Sequence, residues 1–183
     1  MTSQIRVDSI VPTTGVPTGG GGGIVQVISV TKTDAESLTS NSTETLIPGM
    51  EATITPKSSS NKILVMVTLN ASVGDQYAGH YAVLKRGSTN IAIGDAAGNR
   101  NRVSISLQAP CFYDANSSAL YGPGQTSIQF LDSPTTTSAT TYGLYHADPE
   151  SLNALYINRS RGDGDNNAYN RISSSITLME VSG

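Results

Sequence analysis

Lys62-Ile63-Leu64-Val65-Met66-Val67-Thr68-Leu69-Asn70 is the most strongly patterned stretch of the chain. Ile63, Val65, Val67 and Leu69 recur at every second residue, the period at which an extended strand turns its side chains to one face. Leu64 and Met66 put apolar groups on the opposite face as well. A strand that is apolar on both faces near its middle is covered on both faces. One face therefore belongs to the core of the subunit, and Leu64 and Met66 are expected at a subunit interface.

Shorter segments of the same type flank it. They run over 24–31, 43–47, 50–55, 80–86, 90–93, 102–107, 127–131, 140–146, 154–158 and 172–181, each bounded by Gly, Pro or Ser/Asn turns such as Lys85-Arg86-Gly87-Ser88. Val103, Ile105 and Leu107 alternating with Ser104 and Ser106 read as a strand with one wet face. Strands at this spacing predict an all-β fold, an antiparallel β-sandwich of jelly-roll type. Of the 183 residues, 37% are hydrophobic and 14% charged, so Ser, Thr, Asn, Gln and Gly dominate the remainder, a composition of turns and solvated strand faces rather than of helices. The best helical signal is Asp148-Pro149-Glu150-Ser151, a cap residue followed by proline, and it supports one turn.

Upstream of the body the pattern changes. Ile5 and Val7 alternate with Arg6 and Asp8, and Ile10 and Val11 follow, enough for one short strand that has no partner of its own and must complete another sheet. Pro12 and Pro17 bar regular structure, and Gly19-Gly20-Gly21-Gly22-Gly23 forms a joint, because consecutive glycines are entropically expensive to fix. No charged side chain occurs between Ser9 and Thr31. The division expected is an arm and hinge over 1–23, whose Ile5, Val7, Ile10 and Val11 dock on another protein, and a head over 24–183.

The chemistry the chain could carry is limited. A net charge of −3, with Arg100, Arg102, Arg159, Arg161 and Arg171 scattered through polar turns, argues against phosphate-backbone binding. Cys111 is the single cysteine, which excludes an intrachain disulfide and a thiolate zinc site. No stretch approaches the length of a membrane span, and the opening residues lack the basic start and apolar core of a secretory signal. The glycine run is not followed by Lys-Ser or Lys-Thr, so it is no phosphate loop. His80 and His146 lie on separate strands without ligand spacing. No cofactor and no metal are expected, and the chain reads as non-catalytic.

Asp163-Gly164-Asp165-Asn166-Asn167 begins like a calcium loop, but Ser174 stands where a bidentate Glu would close it. It reads as a polar turn, as does the Arg161-Gly162-Asp163 that overlaps it. Asn41, Asn70, Asn116 and Asn158 head glycosylation-type tripeptides that composition alone explains. Tyr77, Tyr113, Tyr121 and Tyr169 lie in or beside turns. Rigid aromatic faces flanked by Asn and Asp can stack on a sugar ring and bond its hydroxyls, so Tyr113, Tyr121, Asp163, Asp165, Asn166 and Tyr169 are the candidate glycan-binding residues.

Ser3-Gln4-Ile5-Arg6-Val7-Asp8-Ser9-Ile10, a Thr-Gly turn and a glycine joint resemble the leader of tail-fibre-like virion proteins of bacteriophages, especially marine ones. Ser60-Asn61-Lys62-Ile63-Leu64-Val65, Leu84-Lys85-Arg86-Gly87, Ile93-Gly94-Asp95, Leu131-Asp132-Ser133-Pro134, Tyr156-Ile157-Asn158-Arg159-Ser160 and Ile176-Thr177-Leu178-Met179-Glu180-Val181 are similar to the same proteins. The resemblance implies a homotrimeric, largely β appendage of the virion, its arm docked on the particle and its head projecting. Without repeats or heptads the chain would form a short knob and not a shaft. Within that frame the head either recognises a host-surface glycan or is a capsid or tail decoration or adaptor subunit that binds only other virion proteins. A depolymerase would need two carboxylates facing across a groove. Asp114, Asp148, Glu150, Asp163 and Asp165 show no such pairing.

Overall fold

The computed structural model describes residues 23–39, 41–73, 79–107, 122–150 and 154–183. The arm with Ile5, Val7, Ile10 and Val11, and also Tyr77, Cys111, Tyr113, Asp114, Asn116 and Tyr121, lie outside the described residues. Eleven strands occur among the described ones: β1 (Ile24–Lys32), β2 (Glu36–Leu38), β3 (Thr45–Ile54), β4 (Lys62–Val73), β5 (Tyr81–Arg86), β6 (Thr89–Ile91), β7 (Ile105–Ser106), β8 (Gly124–Asp132), β9 (Thr140–Ala147), β10 (Leu155–Ile157) and β11 (Ser174–Val181). All their pairings are antiparallel.

Two sheets pack face to face. β4 is the spine of the first: β8 runs along one edge, and β11 and then β10 share the other, with β1 outside β11 and β2 outside β10. The second sheet runs β3-β9-β5, and β5 carries β6 and β7 on its remaining edge. The inward face anticipated for β4 is the heart of the core, with Ile63, Val65, Val67 and Leu69 at most 1% exposed. Ile176 and Leu178 flank them, and Ile47, Met50, Ile54, Leu84 and Leu144 meet them from the second sheet. Fully burying one such side chain stabilises the fold by about 1.5–3 kcal/mol.

Polar pins close one end of this core. Gln26, Glu180, Ile63 and Asp132 are successive cross-strand partners, so two carboxylates point into the sandwich where the first sheet ends. Asp132 accepts hydrogen bonds from Tyr142 Oη at 2.6 Å and from Arg86 Nη1 at 2.9 and 2.8 Å, which ties β8 to β9 and β5 across the two sheets. Burial and the Asp132 carboxylate hold the Tyr142 phenol far above its usual pKa. Glu180 is fully buried and accepts from the Lys57 amide and from Asn61 Nδ2, both at 2.6 Å, and from Gln26 Nε2 at 2.5 Å. Burial by itself raises its pKa. The hydrogen bonds outweigh that and hold the group below the usual carboxylate range, so the loop between β3 and β4 is clamped to an ionised side chain.

Several expected boundaries move. The segments 43–47 and 50–55, separated on the strength of Pro48-Gly49, are one strand, because Gly49 at φ +75° supplies a bulge that shifts the register between Leu46 and Glu51. The expected strand over 102–107 contracts to β7; Ser106 is exposed as expected, whereas Ser104 is half-buried, its hydroxyl accepting from the Leu84 amide at 2.9 Å and donating to the Ile91 carbonyl at 3.1 Å. Pro149 and Glu150 lie in a turn, with Asp148 Oδ1 accepting from the Glu150 amide at 3.1 Å, and Ser151, the last residue of the expected helical turn, lies outside the described residues. β2 was not anticipated.

Candidate functional site

The segment 159–171 is a loop with a closed base. Asn158, immediately after β10, adopts φ +58°, a region that asparagine tolerates better than other non-glycine residues. Its carbonyl accepts from the Ile172 amide at 3.2 Å, and Arg159 and Arg171 form an antiparallel bridge just beyond. The Asn158 side chain is fully buried beneath that base. Its Nδ2 donates to the Lys32 and Asp34 carbonyls at 2.8 and 3.0 Å, and its Oδ1 accepts from Ser174 Oγ at 2.6 Å. Asn70 joins the same cluster, its amide donating to Ser174 Oγ at 2.9 Å. These bonds fill the point on the β4 edge where β10 ends and β11 begins.

Above the base the loop is held by charge. The Arg159 guanidinium stacks 4.4 Å from the centre of the Tyr156 ring, donates to Ser37 Oγ at 2.6 Å and lies 3.2 Å from Asp163 Oδ2. Arg171 bonds the other oxygen of Asp163. Tyr169 lies flat on Gly164, where a Cβ would come within 2.7 Å of the ring, so the close approach requires glycine. At the tip, Asn166 Oδ1 accepts from the Ala168 amide at 2.9 Å and the Tyr169 amide donates to the Asn166 carbonyl at 3.3 Å. Asp165, Asn166 and Asn167 are exposed and Tyr169 is half-buried.

Four of the candidate glycan-binding residues, Asp163, Asp165, Asn166 and Tyr169, therefore sit on one internally braced loop. Tyr113 and Tyr121 lie outside the described residues. Both Asp163 oxygens are engaged by arginines, and Ser174 is sealed beneath the loop, so the resemblance to a calcium loop ends at composition. The Arg161-Gly162-Asp163 carboxylate is likewise committed within the loop. Asn70 and Asn158 are 3% and 0% exposed, which removes both as glycosylation acceptors. Sequence reasoning missed Arg159, Arg171 and Tyr156 as loop-bracing residues. Their spacing carries no signal, because the bracing passes between β10 and the far end of the loop.

A second polar cluster lies at the His80 end of the sandwich. His80, His146 and Asp148 are at most 2% exposed, with His80 Nε2 3.8 Å from Asp148 Oδ2. Burial, reinforced by His80, pushes the His146 pKa down to about 4 against a weaker upward pull from Asp148. Groups this enclosed cannot meet a macromolecular substrate. With Asp148 sealed and Asp163 committed to arginines, neither offers a carboxylate for glycoside hydrolysis. A cleft of about 340 Å³ opens beside Arg86, Gly87 and Pro134 and is otherwise lined by threonines and Ala139.

The outer faces of the two sheets differ in kind. On the second, Glu51 and Lys85 flank Gly143 in register, and Lys85 pairs with Glu44 at 2.7 Å while lying 4.6 Å over the Tyr145 ring. On the first, Val27, Met179, Leu64 and Leu131 are direct cross-strand partners and form an apolar row across four strands. The next row reads Ser29, Thr177, Met66, Gln129, and the one after it Thr31, Ser175, Thr68, Ser127. No charged side chain falls in these three rows. Leu64 and Met66 are thus on the outer face, half-buried, between Val27 at 50% and Leu131 at 48% exposure.

Comparison of the sequence with protein-family models and with curated proteins finds no match in either set.

Proposed function

We propose that the chain is a non-catalytic structural subunit of a bacteriophage particle, a homotrimeric short-fibre knob docked through residues 1–23 whose head attaches to a host-surface glycan. The observation that carries the attachment role is the braced loop 159–171. Asp163 held between Arg159 and Arg171 fixes the loop, so Asp165, Asn166 and the Tyr169 ring present hydroxyl-bonding groups and an aromatic face without a large entropic cost on binding. The strand orders β1-β11-β4-β8 and β3-β9-β5-β6 support a jelly-roll-type head. The absence of any charged side chain from Ser9 to the start of β1 supports a docking segment distinct from the head.

Two measurements test this reading. Applied to an array of host envelope polysaccharides, the protein is expected to bind, and Tyr169→Ala to lose roughly 10-fold or more in affinity with an unchanged melting temperature, as truncation of an aromatic anchor does. Absence of binding to every envelope preparation would leave the decoration role instead. Deleting residues 1–23 is expected to abolish incorporation into particles while leaving a folded oligomer. Truncated protein recovered on particles would contradict the docking role.

A further inference from the structure

We propose that the outer face of the β1-β11-β4-β8 sheet, centred on the Val27-Met179-Leu64-Leu131 row, is the surface through which copies of this chain associate. Single exposed apolar residues are ordinary, but a continuous row of them across four paired strands is not. Ile24, 59% exposed, and its partner Val181 extend the apolar ground at one end, where the exposed Lys62, the next partner in that row, bounds it. Covering such ground is favourable by about 25 cal/mol per Å² of apolar surface removed from water.

The polar rows beside it suit a dry contact. Ser29 Oγ and Thr177 Oγ1 already bond each other at 2.8 Å within the sheet, so covering them leaves no orphaned hydroxyl. Met66 and Met179 bring flexible side chains that fit an irregular neighbour.

Charge selects the occupant. The chain carries a net −3, so two copies repel over most of their surfaces. A different protein could be met by complementary charges, as the Glu51 and Lys85 face of the other sheet would allow. A surface that receives another copy of the same acidic chain is best kept neutral, and the three rows of the first sheet are neutral throughout.

This inference rests on the oligomeric part of the function proposed above and adds the surface that makes it. The test is sedimentation velocity of the full chain over a dilution series, comparing wild type with Thr177→Lys, at the middle of the face, and Leu131→Lys, at an exposed position that folding tolerates. Glu51→Lys on the opposite sheet serves as the control. The expected result is an oligomer for wild type and the control, and a shift of at least about 100-fold toward monomer for the two face variants, since an unpaired charge at a covered apolar site costs several kcal/mol. Circular dichroism matching wild type shows that the head is intact. If Thr177→Lys does not fold, Leu131→Lys carries the comparison.

An oligomer that survives Leu131→Lys and Thr177→Lys overturns the assignment of the face and leaves the oligomeric reading standing. A wild type that is monomeric at every concentration overturns both. A monomer whose Leu131→Lys variant no longer enters particles assigns the face to another virion protein, which also overturns the proposal.

Discussion

Replacing Asn158 by alanine is expected to lower the stability of the head by about 4 kcal/mol, of which about 1 comes from placing alanine at φ +58°, a region that asparagine tolerates better, and the remainder from buried groups left without partners. The Lys32 and Asp34 carbonyls and Ser174 Oγ would each lose a bond inside the protein, where water does not replace it. For a chain of this size the loss corresponds to a fall of roughly 8–16 °C in melting temperature. Asn158→Gly separates the two causes, because it relieves the backbone while still deleting the side chain, and it should recover about 1 kcal/mol. A thermal melt of Asn158→Ala within about 1 kcal/mol of wild type would show that the β10–β11 junction does not depend on this side chain. The consequence reaches the loop, since residues 159–171 leave the sheet at Asn158 and return at Ile172.

The second large effect is acid sensitivity. His146 titrates near 6.5 when unfolded and is held at about 4 in the fold, so between those values the unfolded chain binds the extra proton. Stability from this group is complete above about pH 6.5 and drains away as pH falls toward 4, by at most about 3 kcal/mol. Glu180 does not confuse the reading. Its folded pKa lies below the ordinary carboxylate value, so its contribution persists down to that range and is lost only at lower pH. Urea midpoints should therefore fall between pH 7 and pH 5 for wild type, and the slope should flatten in His146→Gln. An equal slope in both proteins would place the acid sensitivity elsewhere.

Much of the architecture was legible in residue order. β4 was legible because alternation over nine residues satisfies only an extended chain with one face buried, and its second apolar face pointed outward as Leu64 and Met66 indicated. β1, β5, β8, β9 and β11 followed from the same period. β10 was read at 154–158, but β2 was missed, because a three-residue strand has too few alternations to stand out and exists only where a neighbour supplies the ladder. Pro48-Gly49 misled because the punctuation that ends most strands also builds a bulge inside one. In the loop, the exposed Asp165 and Asn166 and the half-buried Tyr169 were recognisable as turn residues. Asp163 was not recognisable as the keystone of an arginine pair, since Arg159 and Arg171 approach it only after the loop has closed.

From its sequence alone this protein was bound to be a β structure with one strand apolar on both faces, because those properties depend on neighbours a few residues apart. Which strands pair, and in which register, is a matter of contacts between residues that lie from tens to more than a hundred positions apart. Only that pairing lines up Val27, Met179, Leu64 and Leu131, buries His80 against Asp148, and turns Asn158 from a glycosylation-type asparagine into the pin beneath the 159–171 loop. Local pattern sets the period of each strand, whereas register follows from packing all of them at once, and the surfaces that do the work are made by register.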